Sequence, residues 1–431
     1  MKRLVTRTSI VLTGLFAMTT GMMVSDKAMA TGFNWHEQTA RMASVAGAGQ
    51  AAWASDASTV YYNAAGMIFL PGTNITVGAA YLAPVGDAEF TSATTSALVG
   101  PTTSGGEDVI VDAFIPTFHL THQINDKLWV GAGITAPFYI DEDYDSNGAQ
   151  QLLTDNFSLK VFQVNPSIAY KLNNHLSFSA SLNIEYGIIK QSQVLPPLLG
   201  GIPTPVAFGG VSPGSIKRKV DAVGVGFSLG AIWNIDETFR LGLNYRHGDT
   251  LNFKGDRKDP LFGKVPTKFK FDLPEIVTLS AVKKVTPDLT LLFDVQWAKW
   301  SDVKNTFIND GIAGNTLIVR DWNDAWRVGV GASYQLNEDW TVRGGVSYDE
   351  GIPDKNKRFP DAIQSDIWRF AVGGGYKLSE TLDMDFAYSF LKFGKGITRL
   401  SSPTYPVDLT GTAKARAHYF GAQLNWRIGS F

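Results

Sequence analysis

From Trp326 to Leu336 the chain alternates with a period of two. Trp326, Val328, Val330, Ala332, Tyr334 and Leu336 are apolar or small, and Arg327, Gly329, Gly331, Ser333 and Gln335 between them are polar or glycine. Successive side chains of a strand point to opposite faces, so this pattern builds one apolar and one polar face. The pattern recurs along most of the chain. Repeated many times in a secreted protein, it predicts a closed all-β sheet with lipid outside and water or ligand inside.

The first thirty residues stand apart. Lys2, Arg3 and Arg7 form a basic start, Ile10 to Val24 is mostly apolar, and Ala28-Met29-Ala30 ends in a small-x-small pattern. Residues 1–30 therefore read as a signal peptide, with cleavage expected after Ala30. No other stretch offers the ~20 continuous apolar residues of a membrane helix. The formal net charge of −2 over 431 residues gives no sign of nucleic acid as a partner. Cysteine is absent, which excludes disulfides and thiolate metal sites. None of the six histidines has zinc-type spacing, and His119 and His122 fall on opposite faces of one strand. No nucleophile motif and no phosphate loop accompanies them, so the chain reads as a non-enzyme without cofactor or metal.

Residues 31–72 do not alternate and are rich in Ala, Gly and Ser; they are expected to form a compact non-strand unit. From Thr73 onward, in the unit 73–431, about fourteen strands are expected. Short polar turns such as Asn125-Asp126, Asn173-Asn174 and Asp236-Glu237 alternate with longer links such as Ala83–Asp108, Gln191–Arg218 and Gly255–Thr267. An even number of strands with short turns at one end and long loops at the other fits an outer-membrane barrel. Trp129, Trp233 and Trp340 lie beside short turns, where a periplasmic aromatic girdle is expected.

Three features bear on binding. Gln193 to Ser215 carries no charge and contains Leu195, Leu198, Leu199, Ile202 and Phe208; the next long link carries Leu261 and Phe262. Exposed apolar loops of this kind mark a binding surface, or else pack on each other as a lid. Pro137, followed by Phe138, lies in the third strand, where proline removes a ladder donor and favours a bulge or a strand end. On the inward parity lie Arg240, Arg246, Arg327, Arg343 and Arg369, with Glu185, Asp294, Asp383 and Asp385. Most of these charges are expected to pair across the lumen. A carboxylate ligand in an apolar cavity would need one of the cations. The candidates are Arg246, Arg327, Arg343 and Arg369, with Lys190 at the outer end of the fifth strand.

The segment Asp56-Ala57-Ser58-Thr59-Val60-Tyr61-Tyr62-Asn63-Ala64-Ala65-Gly66-Met67 closely resembles the hatch motif of the FadL family of outer-membrane transporters. Ala64 stands where that family usually has proline, which removes a fixed φ from the turn. Thr31-Gly32-Phe33, Val164 to Tyr170, Leu273-Pro274-Glu275-Ile276 and Asp324-Ala325-Trp326-Arg327 are also similar to the family. The resemblance implies a fourteen-stranded transmembrane antiparallel barrel in the bacterial outer membrane, plugged by an N-terminal hatch that includes Phe33, Asn63, Ala64 and Gly66. It implies passive transport of long-chain fatty acids or similar hydrophobic compounds. The ligand would be captured by the two apolar loops, the hatch would rearrange near Asn63, and exit would be sideways at Pro137 and Phe138. Uptake of aromatic hydrocarbons within the same family, or a general porin, are the alternatives. The expected partners are a hydrophobic small molecule, outer-membrane lipid and lipopolysaccharide, with the protein a monomer.

Overall fold

The computed structural model describes residues 34–91, 109–144, 149–195, 198–199, 202–203, 214–353, 358–361, 365–400 and 409–429. Phe33, Phe208 and the expected signal peptide lie outside the described residues. Fourteen antiparallel strands form the wall. They are β1 (Thr73–Thr91), β2 (Ala113–Asn125), β3 (Leu128–Asp143), β4 (Asn156–Val164 and Ser167–Lys171), β5 (Leu176–Val194), β6 (Ser215–Asn234) and β7 (Phe239–Arg246 and Thr250–Asp259). There follow β8 (Gly263–Asp272 and Glu275–Lys284), β9 (Leu289–Lys299), β10 (Ala325–Gln335), β11 (Trp340–Asp349), β12 (Ile367–Lys377), β13 (Leu382–Phe393) and β14 (Leu409–Ile428). Each pairs with its neighbour in sequence, and β14 pairs back onto β1 from Thr73↔Ile428 to Thr91↔Thr410. Closure matters because an unpaired backbone group in hydrocarbon costs several kcal/mol.

The alternation works as the sequence implies. In β10, Trp326, Val330 and Tyr334 are exposed on the outer face, while Arg327 and Gly329 are buried inside. Trp233 and Trp340 are exposed beside short turns. Trp129 differs from the girdle expectation: it points inward, buried, and donates its Nε1–H to Leu70 O at 3.1 Å. A strand parity, not closeness to a turn, decides which face a tryptophan takes.

Several expected single strands are interrupted. β4 breaks at Asn165-Pro166, where proline has no N–H for the ladder. β7 breaks after Arg246, and β8 breaks beside it at Leu273-Pro274; Leu273 N–H donates to Asp249 O across the two breaks. Between β9 and β10, Asn305–Asn309 and Asn315–Val319 form a hairpin of their own, joined to β8 at Lys268↔Asn309. The expected long link Gly255–Thr267 is instead the top of a β7–β8 hairpin, paired from Thr250↔Asp272 to Asp259↔Gly263. Only residues 260–262 turn the chain.

Residues 34–72 fill the lumen. They hold two short helical turns, Ala40–Ala43 and Thr59–Tyr62, and a 3-10 stretch, Ala64–Phe69. Small side chains let this backbone approach the wall, and the wall has glycines at the contacts. A Cβ at Gly242 would fall on the Ala51 carbonyl, and one at Gly345 on the Val45 carbonyl. Gly242→Leu would therefore overpack this contact by roughly 1–3 kcal/mol. We expect the lumen segment to loosen while the barrel stays folded. Planar-bilayer recording should show raised conductance with heat-modifiable electrophoretic mobility retained; wild-type conductance would show that this contact does not seat the segment.

Candidate functional site

The lumen segment is bound to the wall most strongly on the side of β9 to β14. Arg41 donates to Asp385 at 2.9 Å and to Asp383 at 2.6 Å, and its backbone N–H donates to Gln423 Oε1 at 2.9 Å. Asp385 also takes Arg343 at 2.6 Å. Arg327 bridges Asp294 at 2.8 Å, Asp349 at 3.3 Å and the Ala46 carbonyl. Arg369 contacts Glu37 at 2.7 Å and also pairs with Asp349. Of the arginines on inward parity, Arg327, Arg343 and Arg369 are thus committed to internal carboxylates. Lys190 requires a correction: it is exposed and shares its parity with Ile184 and Tyr186 on the outer face of β5, so it cannot meet a lumen ligand.

Arg246 is placed differently. Among the described residues no carboxylate lies within ion-pair distance of it. Its guanidinium stacks over the Tyr61 ring at 4.6 Å and reaches the Tyr61 hydroxyl at 3.4 Å. It lines a small polar cavity of about 30 Å³ together with Asn34, His36, Gln50, Asn244 and Gln296. Such a volume accommodates a water or a small polar group. Burial first, then the nearby Arg327 charge, holds the His36 imidazole well below its usual range. His36 is therefore neutral, and Arg246 supplies the positive charge of the cavity.

Ile276, the cross-strand partner of Arg246, also lines this cavity and belongs to a large apolar cluster on the inner wall. The cluster contains Phe138, Ile140, Leu251, Phe253, Phe271 and Trp300. Its rings meet edge to face, with Phe138 and Trp300 at 6.2 Å and Trp300 and Trp322 at 5.5 Å. A packed apolar cluster thus adjoins a polar niche whose cation is Arg246.

Phe138 reaches that cluster because of Pro137. Between Thr135 and Phe138 the β3–β4 register shifts by one residue, the signature of a bulge. The bulge flips the parity of β3: Thr135 faces inward before it, and Phe138, Ile140 and Glu142 face inward after it. The same distortion opens the other seam. The β2–β3 ladder runs to Phe118↔Ile134 and resumes only at an isolated bridge, Ile110↔Glu142. Among the described residues, no ladder bonds join Ala113–Thr117 to Thr135–Ile140.

The start of the lumen segment takes up backbone groups at the bulge. Gln38 Oε1 accepts from Ala136 N–H at 3.1 Å, and Gln38 Nε2 donates to Ala136 O at 3.1 Å. Trp35 N–H donates to Pro137 O at 2.7 Å, and Asn34 bridges Phe138. Tyr62 braces this strap, accepting from Gln38 N–H at 3.0 Å and donating to His36 O at 2.9 Å. Sequence reasoning did not single out Gln38; a glutamine in an alanine-rich stretch carries no local signal of a partner almost a hundred residues away.

The hatch-motif residues are anchors. Asn63 Nδ2 donates to Ala51 O at 2.7 Å and reaches Ala231 O and Leu243 O on β6 and β7, while its Oδ1 accepts from Ala65 N–H. Ala64 is buried in an apolar group with Val60, Met67 and Trp129. At Gly66 a Cβ would collide with the Thr59 hydroxyl and the Ala54 methyl. Of the apolar loops, Leu195 is half-buried, and Leu198–Leu199 pairs with Ile202–Pro203 as a small hairpin. Leu261 and Phe262 are exposed at the β7–β8 tip, and Gly214, which ends the first loop, lies against Pro260. The end of the first loop therefore lies beside the tip of the second.

Comparison with known proteins agrees with this architecture. The Pseudomonas aeruginosa FadL homologue superposes with a TM-score of 0.83 at 21% identity, over 93% of this chain and all of that one. The Ralstonia pickettii toluene transporter TbuX gives 0.67 at 19%, over 92% and 100%. The long-chain fatty acid transport protein of Escherichia coli O6:H1 is 26% identical over 94% of this chain and 96% of its own. The family model described as outer membrane protein transport protein (OMPP1/FadL/TodX) matches residues 21–428. The chain is a bacterial outer-membrane β-barrel belonging to the FadL family of transport proteins for hydrophobic compounds.

Proposed function

We propose that this barrel carries long-chain fatty acids, or amphiphiles of similar form, passively across the outer membrane. The observation that carries the reading is Arg246, a buried cation that makes no ion pair among the described residues, with the buried Glu185 as the nearby carboxylate, set against a packed apolar cluster. A carboxylate would replace water at the guanidinium, and the alkyl tail would lie along Phe138, Leu251, Phe253 and Ile276. A hydrocarbon has no use for the cation. The edge-to-face rings of the cluster nevertheless suit aromatic ligands, so toluene is the informative comparison ligand.

Capture begins at the apolar loops around Leu195, Leu198, Leu199, Ile202 and Phe208, and at Leu261 and Phe262. The ligand then reaches the apolar cluster, displaces the strap Asn34–Gln38 from the bulge, and leaves through the β2–β3 seam. Asn63 holds the rest of the hatch in place during this step. A general porin is disfavoured by a lumen filled by residues 34–72.

Three experiments test this reading. Arg246→Met should weaken oleate binding about 10- to 100-fold, the equivalent of a charge-assisted bond worth ~1.5–3 kcal/mol, and leave toluene binding unchanged. Equal effects on both ligands would remove Arg246 from the headgroup role. Leu261→Asp with Phe262→Asp should slow uptake without changing oleate affinity in detergent; normal uptake would rule out capture at the tip. Asn34 and Phe138 are bridge partners, with Cα atoms ~4.5–5.5 Å apart, so Asn34→Cys with Phe138→Cys fits a disulfide. The chain has no other cysteine. The oxidised protein should bind oleate but not transport it, and a reductant should restore transport. Undiminished transport when oxidised would mean that the strap does not gate the seam.

A further inference from the structure

The outer face of β6 changes character abruptly. Val223, Val225, Phe227, Leu229 and Trp233 are exposed on one parity, with Val223 at 66% and Val225 at 59%. They span eleven residues, the length of a tilted strand crossing the hydrocarbon. On the same parity, directly beyond Val223, come Asp221, Lys219 and Lys217, all exposed. The lipid band therefore ends near Asp221, and the lysines begin at headgroup level.

Neighbouring strands extend this positive surface. Lys219 is the cross-strand partner of Lys190 on β5. Lys217 pairs with Lys258 on β7, and Lys258 in turn with Lys264 on β8, giving three lysines in one row. Lys254 pairs with Lys268, and Lys270 follows two residues on; all of these lysines are exposed on the outer face. Among the described residues Asp221, Asp256, Asp272 and Glu275 share that face. Asp221 is opposite Lys254 and Asp256 opposite Lys219; Asp256 also takes Lys264 at 2.8 Å, and Asp272 accepts the Thr250 hydroxyl. Directly opposed like charges destabilise a sheet, and four such lysine pairs occur here. Across the barrel, between β1 and β14, no two lysines are opposed, and Asp87 is the partner of Lys414.

We infer that this face of β5 to β8 is a binding surface for the phosphate groups of the glycolipid that forms the outer leaflet. The chemistry fits on three counts. The patch sits immediately above the lipid band, on the outside of the wall, where phosphorylated headgroups of the surrounding leaflet lie. Opposed lysine rows place several flexible ammonium groups around one polyanion. An anion between the rows converts the repulsion within the four lysine pairs into attraction. The same strands carry the tip with Leu261 and Phe262, so the bound glycolipid would steady the outer end of the barrel beside the capture loops.

The test uses the full-length protein in detergent, titrated with lipid A bearing both phosphates and followed by native mass spectrometry. Enzymatically dephosphorylated lipid A and inorganic phosphate are the comparison ligands. The combined variant Lys217→Gln, Lys219→Gln, Lys254→Gln, Lys258→Gln should lose at least about tenfold in affinity, since each lysine near an anionic surface contributes roughly fivefold. Dephosphorylated lipid should bind the native protein equally poorly, and Lys414→Gln with Arg416→Gln should change nothing. Retained binding by the fourfold variant, or equal binding of dephosphorylated lipid A, would overturn the proposal. So would full displacement of lipid A by inorganic phosphate, which would show a site for free anions. The dephosphorylation arm needs no variant, so the result stands even if the fourfold variant assembles poorly.

Discussion

Arg41 enters a lumen whose wall already presents Asp383 and Asp385, and the lumen segment itself adds Asp56 at 3.5 Å. Carboxylates this deeply buried are tolerable only with cations beside them. Arg343 and Arg427 supply part of that charge from the wall, and Arg41 supplies the rest from the segment. Glu37 does the converse at Arg369. Wall and lumen segment are therefore each incomplete alone, and removing one partner of such a pair costs roughly 3–5 kcal/mol. This interlocking charge fixes where the segment sits, and the remaining contacts follow from it.

The two sides of the lumen differ in kind. From β9 to β14 the inner wall is charged and grips residues 37–50 through ion pairs. From β2 to β6 the segment is held by single hydrogen bonds such as Asn165 Nδ2 to Val60 O at 2.7 Å and Ser177 Oγ to Ala65 O at 3.0 Å, although Glu142, Glu185 and Arg218 are buried on that part of the wall. The bulge and the open β2–β3 seam lie on this hydrogen-bonded side. Ile115, Ala136, Trp35 and Tyr419 give the seam an apolar lining, and Glu142 stands at the bridge where the ladder resumes. The proposed sideways exit is compatible with an anchored segment because the ion pairs that grip the segment lie on the other side of the lumen.

Much of this was legible in the chain. Strand alternation is local and strictly periodic, so the wall and the inward parity of Arg246, Arg327, Arg343 and Arg369 could be read directly. Pro137 announced a distortion through its missing N–H. The breaks at Asn165-Pro166 and at Leu273-Pro274 were hidden inside well-alternating stretches, because apolar periodicity continues on both sides of them. The tall β7–β8 hairpin looked like a loop because Lys254, Lys258, Lys264 and Lys268 replace apolar residues once a strand leaves the lipid. Period-two alternation persists there, as Arg257, Asp259, Val265 and Thr267 turn inward, but its outer face is charged. The role of Arg246 was illegible for another reason. All the inward arginines look alike in sequence, and only the packing shows which of them face a carboxylate.

Relative magnitudes decide how the proposed exit step proceeds. The strap is held by the bonds of Gln38 to Ala136, of Trp35 to Pro137 and of Gln38 to Tyr62. Net, these amount to about 1 kcal/mol each. A methylene entering the apolar cluster contributes about 0.8 kcal/mol, so about five of them offset the strap. They cannot offset the ion pairs of Arg41 with Asp383 and Asp385 and of Glu37 with Arg369, each several times stronger to break. A long acyl chain therefore carries enough binding energy to free Asn34–Gln38 and too little to expel the segment. On the proposed mechanism, opening is then confined to the strap and the seam, and the rest of the segment stays in place while the ligand leaves sideways.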